Sequence, residues 1–190
     1  ECTSGFRETF GGLHKIFNVE PDICIFGKAL GNGYAINAII GKRSIMEAAN
    51  STFISSTFWT ERIGSVAALN TLKVMEKTKS WKIITQLGKK LKKKWLQISK
   101  ANSVPITISG LDSIPILNFN TKVNDNHKYR NYLTQEMLKK NILAADKVYL
   151  STAHSEKLIE KYCNNLNVIF REINECENDR VHFKNIFKNQ

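Results

Sequence analysis

Lys28 is the residue of this 190-residue chain whose surroundings most plainly point to chemistry. It stands in Pro21-Asp22-Ile23-Cys24-Ile25-Phe26-Gly27-Lys28-Ala29-Leu30-Gly31-Asn32-Gly33. Residues 23–26 are a short apolar run with the character of a buried strand. A second apolar run, 35–40, closes on Gly41. Between two buried strands, burial disfavours an ammonium ion and lowers its pKa, which is the condition a Schiff-base amine needs. Gly27, Gly31 and Gly33 would let a bulky planar group approach the backbone. Composition also permits a plainer account, in which a lysine at a strand end snorkels to water.

The remaining reactive side chains form no second constellation. Cys2, Cys24, Cys163 and Cys176 lack metal-ligand spacing and read as free thiols of a reducing compartment. His14, His127, His154 and His182 are scattered too, so no metal site is expected. The formal net charge of +11 invites a nucleic-acid or membrane reading. Its densest part is Lys89-Lys90-Leu91-Lys92-Lys93-Lys94, and Trp81, Ile84, Leu87, Leu91, Trp95 and Ile98 recur around it at helical spacing. That pattern predicts an amphipathic helix with a solvated lysine face. No nucleic-acid recognition motif accompanies it, and the expectation is no nucleic-acid partner. No apolar run reaches the length of a membrane span, and no signal peptide is visible, so a cytoplasmic location without membrane contact is expected. The chain is 42% hydrophobic and 24% charged, as in globular domains. It does not begin with Met, which suggests a start within a longer protein.

Several elements must position Lys28. A short helix near residues 13–17 comes first, Pro21 starts a strand that runs to Lys28, and a strand at 36–40 and a helix at 44–49 follow. Phe53-Ile54-Ser55-Ser56-Thr57-Phe58-Trp59-Thr60 is hydroxyl-rich and aromatic. Thr60 is the expected N-cap of a well-buried helix over 61–77. Beyond the lysine-rich helix, 104–108 and 114–119 read as antiparallel strands. A helix over 129–140 ends at Asn141, residues 144–150 form a further strand or extended segment, and Ser155 caps a last helix over 155–171. The expected organisation is residues 1–76 as one α/β domain segment, 77–173 as a linking helix plus a small α+β domain, and 174–190 as a loosely held polar tail.

The segment PDICIFGKALGNGYAINAIIGKRSIM resembles the active-site segment of class III pyridoxal-phosphate enzymes, the group of the ω-aminotransferases and glutamate-1-semialdehyde aminomutase. The resemblance covers nearly the whole chain, from Glu1 to about Glu172, and implies the C-terminal part of a fold-type I transferase. It implies pyridoxal 5'-phosphate as cofactor, with Lys28 forming the internal aldimine and moving the substrate proton. Glu1-Cys2-Thr3-Ser4-Gly5-Phe6-Arg7 is similar to the family's segment after its Asp-Glu pair. By that match the Asp facing the pyridine nitrogen falls just before residue 1, and Glu1 does not take its role. Cys2 takes the place of the residue packed on the ring face, although it also reads as a small core residue. Thr3 falls where a side chain approaches the ring hydroxyl. SSTFWTERIG resembles the family's phosphate segment, in which a threonine, here Thr57, reaches the phosphate bound in the neighbouring subunit; a homodimer follows from this. Trp59-Thr60-Glu61-Arg62 departs from the family's small and Asn-Pro residues. Ser151-Thr152-Ala153-His154-Ser155 is similar to the end of the aminomutase branch, and His154 reads as a structural or capping residue, since Lys28 already serves as base.

Two enzymatic readings stay open: amino transfer between an amine or amino acid and a separate carbonyl compound, or intramolecular transfer by an aminomutase. A third reading, from composition, is a non-enzymatic basic module using residues 89–94 on acidic partners. These 190 residues by themselves are expected to show little activity.

Overall fold

The computed structural model describes residues 1–122 and 126–178. Its elements, in order, are a 3-10 turn Leu13–Phe17, β1 (Ile23–Phe26), a 3-10 turn Lys28–Leu30, β2 (Ala38–Gly41), α1 (Arg43–Met46) running into a 3-10 turn Glu47–Ser51, α2 (Ile63–Thr78), α3 (Ser80–Ala101), β3 (Ile106–Leu111), β4 (Ile114–Phe119), α4 (Asn126–Leu138) and α5 (Glu156–Glu177). The chain divides into two compact units, Glu1–Ile84 and Thr85–Gln190.

In the first unit, β1 and β2 form an antiparallel ribbon in the register Ile23↔Gly41 to Phe26↔Ala38. β1 buries alternate residues only: Cys24 and Phe26 face a small core, while Ile23 and Ile25 are exposed. The core consists of Cys24, Phe26, Leu30 and Ala68, with Phe6, Ile36, Ala38 and Leu72 packed against it. The period of two therefore overrides the expectation of a fully buried strand, because one face of the ribbon has no covering layer. α2 departs from expectation in the same way. Of its residues only Gly64 and Ala68 are buried, and Ile63 and Leu69 are 62% and 60% exposed. Its start also differs: Thr60 does not cap it. The Glu61 carboxylate does, accepting from Ile63 N at 2.6 Å and Gly64 N at 3.2 Å. A carboxylate there satisfies two unpaired N–H groups and meets the positive end of the helix dipole. Lys79 adopts a left-handed conformation (φ 52°) and separates α2 from α3.

The second unit closes a much larger core. β3 and β4 pair from Ile106↔Phe119 to Leu111↔Ile114. Gly88 lets the α3 backbone come close to their turn, since a Cβ there would lie 1.6 Å from the Asp112 carbonyl oxygen. Residues 146–150 run along the outer edge of β4, with Leu117 N donating to Asp146 O (2.8 Å), Val148 N to Pro115 O (3.1 Å) and Leu150 N to Ser113 O (3.1 Å). Leu91 and Trp95 of α3, Tyr129 and Leu133 of α4, and Leu166 and Phe170 of α5 are all buried. Phe119 stacks 5.8 Å from Tyr129 and 5.4 Å from Phe170.

The helix ends obey local rules. Asn141 (φ 57°) terminates α4, with Ile142 N reaching back to Met137 O at 3.0 Å. Ser155 caps α5 through Leu158 N. α5 continues to Glu177, beyond the expected end at 171, because Ile173 and Cys176 carry its apolar stripe further into the core. Residues 174–177 are thus helical rather than a loose tail; the rest of the expected tail, from 179, lies outside the described residues. The lysine-rich face of α3 is not simply solvated. Lys92 pairs with Asp112 (2.9 Å), Lys94 with Glu160 (2.7 Å) and Lys90 with Glu156. These carboxylates neutralise part of the surface that a polyanion would use. No helix among the described residues is long and apolar enough to cross a membrane.

Candidate active site around Lys28

β1 ends at Phe26, and Gly27 continues extended before the chain turns at Lys28. Lys28 itself has φ 42°, a left-handed conformation that costs a side-chain-bearing residue about 1–2 kcal/mol. The surrounding backbone imposes it. Leu30 N donates to Gly27 O (2.9 Å), Asn32 N donates to Lys28 O (3.0 Å), and the buried Leu30 side chain anchors the turn. Space is tight just before the lysine: a Cβ on Gly27 would stand 2.3 Å from Asn37 Oδ1 and 3.7 Å from Cys2 Sγ.

The Lys28 side chain is exposed, not buried as expected between two strands. Nζ donates to Thr3 Oγ1 at 2.6 Å. Cys2, Thr3 and Lys28 therefore meet at one point, with the Cys2 thiol exposed rather than in a core. Residues 25 positions apart are joined because a tight turn folds 1–7 onto the ribbon. In it Gly5 N donates to Glu1 O (2.9 Å), Arg7 N to Ser4 O (3.2 Å) and Phe6 N to Gly11 O (2.7 Å). The Phe6 ring lies 5.3 Å from that of Phe26.

Glu1 fastens this turn from behind. Its carboxylate accepts from Ser4 Oγ (2.5 Å) and His14 N (3.0 Å), and the His14 ring nitrogen Nδ1 lies 3.2 Å away. Burial alone would raise the Glu1 carboxyl, but the bonds from Ser4, from the Leu13 and His14 backbone and from the His14 ring outweigh it and hold the pKa down to about 2. His14 Nδ1 is also 3.5 Å from Cys24 Sγ on β1. Sequence spacing gave no sign of this Glu1–His14–Cys24 group, since its members meet only through the turn. Nor did it foresee that Thr3 holds the lysine amine directly.

Thr57 lies in an exposed turn over 57–60, and among the described residues no hydrogen bond joins it to the Lys28 group. Ser56 shapes that turn, its Oγ accepting from Phe58 N and its carbonyl from Trp59 N, each at 3.3 Å. Phe53, Phe58 and Trp59 stand largely in solvent. His154 accepts the Ser151 N–H at Nδ1 (3.0 Å), which closes the turn ahead of α5 as a capping residue would. Among the described residues no group of three or more His, Cys, Asp or Glu side chains could hold a metal ion.

Residues 3–162 match the model of the aminotransferase class-III family. The chain is 37% identical over 120 residues to a 3-aminobutyryl-CoA aminotransferase of Cloacimonas acidaminovorans, covering 63% of this chain and 29% of that protein. It is 32% identical over 183 residues to a glutamate-1-semialdehyde 2,1-aminomutase of Nitrosopumilus maritimus, covering 85% and 42%. Among solved structures it is similar to the FumI protein of Sphingopyxis sp. MTA144 in its pyridoxal-phosphate internal aldimine form (TM-score 0.83, 20% identity, 98% of this chain and 45% of that one). It is also similar to a transaminase with pyridoxal phosphate bound (TM-score 0.82, 18% identity, 93% and 44%). The fold is thus that of part of a fold-type I transferase. The chain spans less than half the length of each of these relatives.

Proposed function

The chain belongs to the class-III aminotransferase family, and from that premise we propose that it is the catalytic-lysine part of a cytoplasmic, homodimeric pyridoxal-phosphate enzyme. The enzyme moves an amino group between an amine or amino acid and a carbonyl compound. The observation that carries this reading is the placement of Lys28. A primary amine stands at the end of a strand, on a backbone forced into an uncommon conformation, with its Nζ 2.6 Å from the Thr3 hydroxyl. Strain of this kind persists where surrounding structure over-determines it, and functional sites are where it collects.

The residues present fit the cofactor. Lys28 supplies an accessible primary amine for its aldehyde, and Cys2 and Thr3, gathered at the same point, offer a soft side chain for a ring face and a hydroxyl for the ring oxygen. Thr57, on its exposed turn, is the side chain for a phosphate held by a neighbouring subunit. Bound there, the cofactor supplies an electron sink for charge developing on the substrate carbon. The protein's own work is proton transfer and positioning. Lys28 Nζ would take the proton from the carbon that carries the amino group and hold it for delivery to a second carbon, so that the proton moves between two carbons as the exchange proceeds. Thr3 Oγ1 limits where Nζ can stand, so that the amine does not wander through the many conformers of a free lysine. The Glu1–His14–Ser4 bonds keep Thr3 in place from behind.

Intramolecular transfer, the aminomutase reaction, is the second reading. It is favoured by one observation: the aminomutase relative matches more of the chain than the aminotransferase does. Turnover that requires an external keto acceptor supports the first reading, and turnover without one supports the second.

The deciding experiment is a visible spectrum of the full-length protein before and after borohydride, followed by peptide mapping. The expected result is a yellow band lost on reduction, with the cofactor fixed to Lys28. A colourless protein that takes up no pyridoxal phosphate, or a label on another lysine, sinks the proposal.

A further inference from the structure

The second unit contains a cavity of about 470 Å³, formed where the 141–150 segment passes between α3 and α5. Its floor is aliphatic: Leu91, Ile142, Leu150, Leu158 and Ile159. The charge of the lining is one-sided: Lys147 and Lys161 supply it, His154, Asn141 and Tyr149 add further polar groups, and among the described residues no Asp or Glu lines the cavity. Neither lysine forms an ion pair with a described residue, in contrast to Lys90, Lys92 and Lys94 of α3, which all do. His154 uses Nδ1 on the Ser151 N–H, which leaves only its other ring nitrogen for a ligand.

Tyr162 completes the wall. Its hydroxyl is buried, and no described group bonds to it. The Trp95 indole N–H beside it is a donor. The two charged side chains that line this cavity, Lys147 and Lys161, are thus both cations, and no described carboxylate pairs with either.

We infer that this cavity binds a small amphipathic carboxylic acid, with its carboxylate among Lys147, Lys161 and His154 and its hydrocarbon chain on the aliphatic floor. Charge complementarity selects the anion, and the volume falls in the range of small-molecule sites. The site is built from the second unit alone and is independent of the chemistry proposed at Lys28.

The test uses octanoate as probe on the full-length protein, followed by calorimetry and tryptophan fluorescence. Saturable binding is expected at one site per chain, with Kd on the order of 0.1–1 mM for a ligand of this size. Butyrate, which covers less of the floor, should bind at least about tenfold more weakly. Octylamine should not saturate. The double variant Lys147→Gln/Lys161→Gln should weaken octanoate at least about tenfold, and Lys147→Arg/Lys161→Arg, which keeps both charges, should bind like the parent. The inference is overturned by absence of saturation up to about 10 mM, ten times the weakest expected Kd, by equal binding of octylamine, or by unchanged binding in a Gln variant whose melting temperature matches the parent's.

Discussion

The two units of this chain solve the problem of burial differently. Thr85–Gln190 encloses its own core: Trp95, Tyr129, Leu133, Leu166 and Phe170 are all essentially inaccessible. Glu1–Ile84 buries little beyond Cys24, Phe26, Leu30 and Ala68, while β1, β2 and α2 turn isoleucines, valines and leucines outward. The difference teaches where stability and chemistry reside. The second unit holds the larger core. The first carries Lys28 on a thin ribbon and holds the lysine with turn hydrogen bonds rather than with a core. Contiguous outward apolar faces are rarely left in water, so the first unit's surfaces suit further layers of the same fold.

The contrast can be broken, beginning with the largest effect. Lys28→Ala in the full-length protein should lower turnover by about 10³-fold or more, since under the proposed function it removes both the nucleophile and the proton carrier; residual activity above a tenth of the parent's would detach the first unit from the chemistry. In the second unit, Trp95→Ala should destabilise by about 3–5 kcal/mol, because the cavity it leaves is sealed on every side. Urea unfolding measures this, and a cost near zero would mean that this core does not stabilise the second unit.

Acid should act on the first unit. The folded Glu1 carboxyl titrates at about 2, well below its usual range, so its contribution is fully present above the unfolded pKa of about 4.5 and is lost as pH falls toward 2. The Glu1→Gln variant should abolish up to about 2 kcal/mol of that pH dependence, and parallel acid unfolding curves for parent and variant would refute it. A smaller loss, about 1–2 kcal/mol, is expected from Tyr132→Phe, which removes the 2.7 Å bond from Tyr132 to Glu172.

The smallest effect sharpens the comparison most. In the isolated 190-residue chain, Leu69→Ala on the outward face of α2 should cost under about 0.5 kcal/mol. In the full-length protein the same substitution should cost several-fold more if further layers cover that face. Equal small costs in both would leave α2 a true surface helix.

How much of this was legible beforehand follows from the range of each interaction. Lys28, its glycines and the family resemblance stand in one continuous stretch of sequence, as do the Ser155 cap, the Asn141 stop and the apolar spacing of α3. These depend on neighbours within a few residues, which type and order alone dictate. The expectation of a buried lysine and a buried α2 came from composition, which registers that residues are apolar but not whether a second layer exists to cover them. Glu61 displaced Thr60 as cap because the helix starts at Ile63 and the longer Glu61 side chain reaches forward to the N–H groups of Ile63 and Gly64. The union of Thr3 with Lys28, the Glu1–His14–Cys24 group, the pairing of the α3 lysines with Asp112, Glu156 and Glu160, and the cationic cavity beside Tyr162 were decided by the tertiary structure alone. Each joins side chains from distant parts of the chain, and only the folded backbone sets the distances between them.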